Sequence, residues 1–300
     1  MRAAVSAFPG ANPRGHHIAR FQGRVTWRLR LFRLSVSSLV LLGSFLVAGS
    51  AAAGAIGQDR AVSGGADASE LSIGKKLPLS ISPNGISCPS ALNCWVVSDQ
   101  TANFGPGGGG VLATTDGGAV WKRQRLPSDT SGLFGISCVT TLDCEAVGGT
   151  PLDDAAVVGT TNGGATWVAQ SLPAGTPSGP LGSISCLSAS DCWTVGGDAA
   201  GSVAVTSNGG ATWTDQTLPS GTWVMTGVSC VSVSDCLAVG YRPSQPAVVV
   251  STSDGGTTWT SVGLPASLTG LAGVSCTSSL CFAVGDSTQH AVIAESALSG

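Results

Sequence analysis

Short runs of apolar and β-branched residues alternate with clusters of Gly, Pro, Asp and Ser along residues 72–300. Val, Thr, Ile and Trp favour strands, and the intervening residues favour turns. No stretch after residue 55 has the 3.6-residue periodicity of an amphipathic helix. The pattern predicts an all-β protein with four short strands in each repeat. In the fourth repeat these strands are predicted at residues 227–230, 236–240, 247–252 and 258–263.

A sequence repeat of about 45 residues organises these runs. Four Trp residues, 46 positions apart, close four similar boxes, TTDGGAVW, TTNGGATW, TSNGGATW and TSDGGTTW. Four short antiparallel strands in a copy of this length predict the blade of a β-propeller. A β-helix usually has shorter coils, and separate domains of this size would be only marginally stable. The copies begin near Ile86, Ile136, Ile184, Val228 and Val274.

The fifth copy is incomplete and predicts how the ring closes. It has the first three runs and a degenerate box, with Leu298 at the Asp position. The segment 72–78, SIGKKLP, matches the segments that follow the box in other copies, such as WKRQRLP at 121–127. We therefore predict five four-stranded blades, with residues 72–79 pairing with 291–295 to close the ring. Closure would remove exposed strand edges.

Ten cysteines form five close pairs, four with the spacing C-x5-C and one with C-x4-C. Zinc sites prefer closer pairs, usually with His, and His290 is the only histidine beyond residue 17. Local disulfides are favoured over a metal or redox role, and no metal or cofactor is predicted. The pairs are Cys88/Cys94, Cys138/Cys144, Cys186/Cys192, Cys230/Cys236 and Cys276/Cys281.

The N-terminal leader predicts export. Residues 1–33 carry seven Arg and no acidic residue, and an apolar run follows at 34–48. Small residues come next, so the pattern indicates a signal peptide cleaved after Ala53 or Ala55. An uncleaved anchor is the alternative, because residues 34–58 carry no charge and are long enough to span a bilayer. Either alternative predicts a secreted or cell-surface protein whose membrane contact is limited to this anchor.

The rest of the chain is acidic and is divided into a linker, residues 56–71, and the propeller, residues 72–300. After the leader, residues 1–55, seven Lys and Arg stand against 17 Asp and Glu. Nucleic-acid binding depends on Lys and Arg at phosphates, so this charge argues against a nucleic-acid partner.

The repeated box resembles that of the Asp-box (bacterial neuraminidase repeat) propellers, which include sialidases, sortilin-like receptors and photosystem II assembly-factor propellers. The resemblance covers roughly residues 72–300, although the first box has Val120 at the Thr position. In that family the boxes lie away from the active face. The physical chemistry of the box also favours a structural role, because Asp or Asn can fix a turn and Trp can bury between blades. A calcium loop would need more carboxylates. The structural residues are Asp116, Trp121, Asn162, Trp167, Asn208, Trp213, Asp254 and Trp259.

The connections between strands predict where a ligand would bind. Connections alternate between two faces, so the cysteine loops and boxes share one face and nearly repeat. The loops on the other face differ in every copy, which is typical of binding surfaces, although a solvated acidic rim is the alternative. Glu145 follows the second cysteine of its copy, at a position expected to pack between blades or at their margin rather than to bind a ligand, and it is the unusual charge there. The candidates are Tyr241, Arg242, Trp223, Phe104, Asp153, Asp154, Asp198 and Asp286, with Asp99, Asp129, Met225 and His290 in the same loops.

The resemblance raises sialidase chemistry, which that family performs with three Arg, a Tyr–Glu pair and an Asp. After residue 55 the chain has only Arg60, Arg123, Arg125 and Arg242, with one Tyr and three Glu. Other glycosidases need two carboxylates at a defined separation, and no pair is selected. We therefore predict a non-catalytic binding or scaffold module for a glycan or protein partner. A sialidase-like or other glycoside hydrolase is the alternative.

Overall fold

The computed structural model describes residues 82–99, 110–174, 176, 178–198, 200–243, 246–287 and 291–297, the last as backbone only. They form nineteen β-strands, all within one compact unit, residues 73–300. No helix among the described residues has the length and apolarity needed to cross a membrane. The leader, the linker and the predicted closing segment 72–79 lie outside the described residues.

Three separate four-stranded antiparallel sheets form the first three blades, with strands in chain order. Blade one contains β1 (Pro83–Ser87), β2 (Cys94–Ser98), β3 (Gly110–Thr114) and β4 (Lys122–Gln124). Blade two contains β5 (Gly132–Cys138), β6 (Cys144–Gly149), β7 (Ala155–Thr160) and β8 (Val168–Gln170). Blade three contains β9 (Leu181–Cys186), β10 (Cys192–Gly196), β11 (Ser202–Thr206) and β12 (Thr214–Gln216).

The last two blades share one sheet, because a single bridge pairs Tyr241 with Gly270. Blade four contains β13 (Val224–Cys230), β14 (Cys236–Tyr241), β15 (Val248–Thr252) and β16 (Thr260–Ser261). Blade five contains β17 (Leu268–Cys276), β18 (Leu280–Ser287) and β19 (Ala291–Ala297).

The predicted strands of the fourth repeat are present; β14 and β15 each differ by one residue, and the larger changes are in β13 and β16. β13 begins at Val224, three residues early, because a bulge between Met225 and Gly227 lets pairing with β14 continue. The outer strand β16 is shorter than predicted. Thr258, assigned to that strand, instead donates its backbone N–H and its hydroxyl to Asp254 within the box.

The core consists of apolar clusters between neighbouring blades. Clusters join blades one and two, two and three, three and four, and four and five. The first strands of neighbouring blades approach closely at glycines: a Cβ on Gly135 would lie 3.0 Å from the Cα of Ser183. No cluster among the described residues joins blade five to blade one, so they do not show the predicted closed ring.

A repeated hydrogen bond also links the first strands. In the first four blades, the Ser of the Ile/Val-Ser-Cys motif accepts the N–H of the cysteine in the next blade. Ser87 Oγ accepts from Cys138 at 2.9 Å, and Ser229 Oγ accepts from Cys276 at 3.0 Å. The motif therefore fixes the position of each blade against its neighbour.

Candidate functional site

Five disulfides confirm the predicted cysteine pairing, and each closes a short loop between the first two strands of its blade. The bonds join Cys88 to Cys94, Cys138 to Cys144, Cys186 to Cys192, Cys230 to Cys236 and Cys276 to Cys281. In blade two, the carbonyl of Leu142 in this loop accepts the N–H of Gly163, the first glycine of that blade's box, at 2.9 Å. The cysteine loops and boxes therefore lie on the same face, which we call the constant face.

The fifth disulfide departs from the repeat in the position of Cys281. In the other blades the second cysteine is the first residue of its strand, whereas β18 begins one residue earlier, at Leu280. The loop between Cys276 and Cys281 is one residue shorter than the others, and the N–H of Thr277 donates to the carbonyl of Leu280 at 2.7 Å. This tighter turn extends the strand to Leu280 and leaves Cys281 buried in the cluster between blades four and five. The predicted pairing of Cys281 with Cys276 is confirmed.

The Asp or Asn of each box is used to hold its own turn. In box one, Asp116 Oδ1 accepts from Thr114 Oγ1 at 2.7 Å and from the N–H of Val120 at 2.9 Å. The two glycines that follow have φ angles of +68° and +84°, which glycine adopts without strain. Hydrogen bonds from Thr258 and Thr252 lower the pKa of Asp254 to about 2. These oxygens are therefore engaged in local structure rather than presented to a ligand.

Three glutamines on outer strands form hydrogen bonds to the box of the next blade, and the sequence analysis did not identify them. Gln124, at the end of β4, accepts the indole N–H of Trp167 in blade two at 2.9 Å. Its own amide donates to the carbonyl of Gly163 at 2.8 Å. Gln170 and Gln216 make the equivalent pairs of bonds to the next two boxes. The sequence does contain a pattern that marks these glutamines: W-x-x-Q occurs in the first three copies, and Val262 replaces Gln in the fourth.

Glu145 lies inside this contact between blades two and three. It follows the second cysteine of its blade, where blades one and three carry the buried Trp95 and Trp193. Gln170 Nε2 donates to Glu145 Oε1 at 2.9 Å, and Oε2 is buried without a hydrogen-bond partner among the described residues. Desolvation by burial raises the pKa of Glu145 to about 7, although the bond from Gln170 opposes this.

Glycine at position 159 makes room for this carboxyl. Gly159 lies opposite Glu145 on β7, and a Cβ there would lie 2.6 Å from Glu145 Oε1. The pair Glu145 and Gly159 thus replaces the bulky pairs of other blades, such as Trp193 opposite Val205. Glu145 has a packing and hydrogen-bonding environment of its own, away from the variable loops.

The opposite face, which we call the variable face, brings together predicted residues from three blades. Asp153 lies in the β6–β7 turn with φ at +61°, and Asp198 follows β10. Burial, with a smaller contribution from the charge of Asp153, raises the pKa of Asp198. Burial and the charge of Asp198 raise the pKa of Tyr241 at the end of β14. Blades two, three and four therefore contribute electrostatically coupled groups.

Trp223 and Arg242 extend this group on blade four. Val224 pairs with Tyr241, so Trp223 and Arg242 lie at the same end of the β13–β14 pair. Trp223 is 37 % exposed, and Arg242 is half-buried beside Gly221. The N–H of Gly201, in the blade-three loop, donates to the carbonyl of Thr222 at 3.2 Å, which ties the two loops together.

The remaining candidates have different placements. Asp154 and Asp129 are exposed in loops, and Asp286 is exposed near the end of β18. Phe104 and His290 lie outside the described residues. The assignment of Met225 to a surface loop was wrong, because it lies in β13 and packs between blades three and four, 1 % exposed. Asp99 is also buried. The described residues contain no group of three or more His, Cys, Asp and Glu that could hold a metal ion.

Comparison with known proteins supports the fold. No protein-family profile matches the sequence, and a search of curated proteins gives no match. Among solved structures, "YCF48 bound to D1 peptide" is similar with a TM-score of 0.53 and 19 % identity over 70 % of this chain. YCF48 from Cyanidioschyzon merolae has a TM-score of 0.52 and 20 % identity over the same share. The GH74 xyloglucanase from Xanthomonas campestris has a TM-score of 0.52 and 13 % identity over 72 %.

These likenesses establish a β-propeller arrangement of the sheets and nothing finer. The chain covers 62 % and 66 % of the two YCF48 chains and 37 % of the xyloglucanase, so it spans less than two thirds of each. At such low identity the likeness concerns the fold alone, because unrelated functions share the same folds.

Proposed function

We propose that this chain is an exported, non-catalytic β-propeller that binds a protein partner through the variable face. The observation that carries this proposal is the convergence of Asp153, Asp198 and Tyr241 from three successive blades. Trp223 and Arg242 lie beside them, and both types of residue are common at the centres of protein interfaces. Loops held by a rigid scaffold are the usual location of such sites.

The charge of this surface favours a partner segment with Lys or Arg side chains. Asp153, Asp154 and Asp198 give it a local excess of negative charge, and the aromatic rings of Tyr241 and Trp223 can accept cations on their faces. A Lys or Arg of the partner beside Asp198 would offset the repulsion between Asp198 and Asp153. One of the similar structures is described as bound to a peptide, which is consistent with this use of the fold.

A hydrolase is the less favoured alternative. The only Glu among the described side chains is Glu145, which is buried between blades two and three rather than placed beside Tyr241. Tyr241 is coupled to Asp198 instead. The likeness to GH74 enzymes is a likeness of fold, so it does not transfer their activity to this chain.

Export is part of the proposal. Five disulfides are typical of an oxidising compartment outside the cytoplasm. With the basic and apolar leader, they support secretion or display at the cell surface, either after signal cleavage or through an N-terminal anchor. The scaffold we propose is a ring of five blades, closed by residues 72–79.

A thermal-shift screen tests the function. The full-length exported chain, with its disulfides formed, is heated with Lys- and Arg-containing peptides, matched acidic peptides and a panel of glycans. A ligand of the folded state raises the melting temperature in a dose-dependent way. We expect basic peptides to do so, less at high salt, and the shift to disappear in a Tyr241→Ala, Trp223→Ala variant.

The control is Leu92→Ala, because Leu92 is exposed on the constant face. This variant should keep the full shift. If only glycans raise the melting temperature, the partner is a glycan and the proposal of a protein partner is wrong. If the chain hydrolyses a fluorogenic glycoside and an Asp198→Asn variant does not, the chain is a hydrolase and the proposal of a non-catalytic role is wrong.

A further inference from the structure

Leu152 presents an apolar side chain to solvent on the variable face. It lies in the turn between β6 and β7, and at 83 % it is the most exposed large apolar side chain among the described residues. The two residues that follow it, Asp153 and Asp154, carry part of the negative charge of the proposed binding surface. Exposed apolar surface is unfavourable in water, so a partner that covers Leu152 gains affinity from its burial.

Hydrogen bonds to Thr150 hold this turn in one conformation. The N–H of Thr150 donates to the carbonyl of Asp154 at 2.8 Å, and its carbonyl accepts the N–H of Asp153 at 3.0 Å. Its hydroxyl oxygen accepts the N–H groups of Leu152 and Asp154, each at 3.2 Å. Asp153 has a φ of +61° and is the one non-glycine residue with a positive φ in the described part of the chain. Leu152 is therefore held outward by a defined turn, which lowers the entropy cost of binding.

The loop that joins blades two and three connects the β6–β7 turn with Asp198 of blade three. A Cβ on Gly149, at the end of β6, would lie 3.2 Å from the Cβ of Pro180 in that loop. The N–H of Asp198 donates to the carbonyl of Ser178 at 3.2 Å. Gly179, with a φ of +107°, leaves room for the carboxyl, because a Cβ there would lie 2.6 Å from Asp198 Cγ. The joining loop thus fixes the carboxyl of Asp198 next to the β6–β7 turn.

Trp223 lies on the other side of Asp198, at the entry to blade four. The loop that contains Asp198 ends at Gly201, and the N–H of Gly201 donates to the carbonyl of Thr222 at 3.2 Å. A Cβ on Gly201 would lie 2.6 Å from the carbonyl oxygen of Trp223, so the two loops are in direct contact. In the variable-face loops that the structure describes, Leu152 and Trp223 are the exposed large apolar side chains. They stand in blade order on either side of Asp198.

The charge of the surface changes along this row of three blades. Asp153 and Asp154 lie beside Leu152 in blade two, and burial, followed by the charge of Asp153, raises the pKa of Asp198 in blade three. Arg242 lies in blade four and is half-buried. Negative charge is therefore concentrated between blades two and three, and a cation of the ligand is favoured there rather than beside Arg242. The surface offers apolar, acidic and apolar groups in that order.

We propose that the partner segment carries an apolar side chain, a Lys or Arg and a second apolar side chain, in the order set by Leu152, Asp198 and Trp223. Leu152 covers the first apolar side chain, Asp198 accepts a hydrogen bond from the cation, and Trp223 covers the second apolar side chain. This inference rests on the proposed function and defines the chemistry of the partner more narrowly. Leu152 selects among basic segments although it carries no charge.

Fluorescence anisotropy with two sets of labelled peptides tests this order. In the first set, a central Lys is flanked on each side by Leu, with one, two or three Ser between them. In the matched set, Ser replaces both Leu, so the charge is the same. We expect the best Leu peptide to bind the full-length chain, with its disulfides formed, about tenfold more tightly than its Ser match. In a Leu152→Ser variant this ratio should fall about threefold, with the affinity for the Ser peptide unchanged.

Leu142→Ser is the matched control, because Leu142 is 54 % exposed on the constant face. This variant should keep the wild-type ratio, and both variants should melt at the wild-type temperature, since neither side chain is buried. An unchanged ratio in Leu152→Ser, or equal affinity of the wild type for both sets, would overturn the inference and leave the binding of basic peptides in place. An equal fall in Leu142→Ser would show nonspecific adhesion of Leu and would also overturn it. If neither set binds, the proposed function is wrong as well.

Discussion

The junction of blades two and three differs from that of blades four and five in the contact made by the outermost strand of the first blade. One junction has a hydrogen bond between side chains, and the other has apolar packing. In the first, Gln170 accepts the indole N–H of Trp213 at 2.8 Å and spans both blades. In the second, Val262 occupies the glutamine position and packs in an apolar cluster with Leu237 and Leu271. The box of the fifth copy is degenerate, with Leu298 at the Asp position.

This difference shows that the box and the preceding outer strand act as one unit. In three successive junctions, a box Trp in one blade is bonded to a Gln in the previous blade. The buried indole N–H requires an acceptor, and the amide requires both a donor and a carbonyl. Where Val262 stands at the glutamine position, it packs against the apolar cluster between blades four and five.

Removal of a buried box Trp should be the most damaging change. Trp167→Ala removes packing between blades one and two and leaves Gln124 without its donor. We expect a loss of about 3–5 kcal/mol in the free energy of unfolding. Chemical denaturation measures it, with Trp223→Ala as the matched control on an exposed Trp. A similar small loss in both variants would contradict a structural role for the box Trp.

Glu145 should make the junction of blades two and three sensitive to pH. Its pKa is raised on folding from 4.5 to about 7, so ionisation of the buried carboxyl opposes folding. Glu145 therefore contributes most to the free energy of unfolding below about pH 4.5. This contribution falls as the pH rises toward 7 and is constant above that. The total change is about 3 kcal/mol.

Denaturation curves of Glu145→Gln and wild type at several pH values isolate this effect. The stability of the variant relative to wild type should increase between pH 4.5 and 7, because the amide cannot ionise. A difference independent of pH would show that Glu145 is not the titrating group.

The glutamine contacts should have an intermediate effect. Gln124→Leu leaves the indole N–H of Trp167 and the carbonyl of Gly163 buried without these partners. We expect a loss of about 1–3 kcal/mol. A double-mutant cycle with Trp167→Phe should recover most of it, because Phe has no N–H to satisfy. Strict additivity of the two changes would mean that the pair does not interact.

The smallest effect concerns the atypical first box. Val120 is exposed where the other boxes have Thr, and Thr258 Oγ1 donates to Asp254 Oδ2 at 2.6 Å. Val120→Thr should therefore add a bond to Asp116 and stabilise the chain by up to about 1 kcal/mol. Val120→Ser is the control, because Ser supplies the hydroxyl without the β-branched shape that Val and Thr share. No gain from the hydroxyl would show that the turn of box one is already satisfied.

Much of the fold could be predicted from the sequence because the repeat carries it. The cysteine spacing, the box and the alternation of short apolar runs each recur, so the strands and disulfides followed from a comparison of the chain with itself. Two features of the strands could not be predicted in this way. The shorter loop before Cys281 moves the start of β18 to Leu280. The bulge beside Gly227 extends β13 into the loop and turns Met225 into the core.

The candidate site could be predicted only as a set of loops. The coupling of Asp198 with Asp153 and Tyr241 depends on how three blades approach each other, which no local pattern encodes. The glutamine contacts were visible as W-x-x-Q, but their partners are 43 positions away in the sequence. Glu145 was noticed as an isolated charge, and its raised pKa depends on burial against the next blade.

Hydrogen exchange of the full-length chain, with and without a Lys- or Arg-containing peptide that raises its melting temperature, tests the central claim most directly. We expect slower exchange in the variable loops around Asp153, Asp198, Trp223 and Tyr241, with the boxes and cysteine loops unchanged. Protection confined to the constant face, or the same protection by the peptide in the Tyr241→Ala, Trp223→Ala variant, would contradict the account.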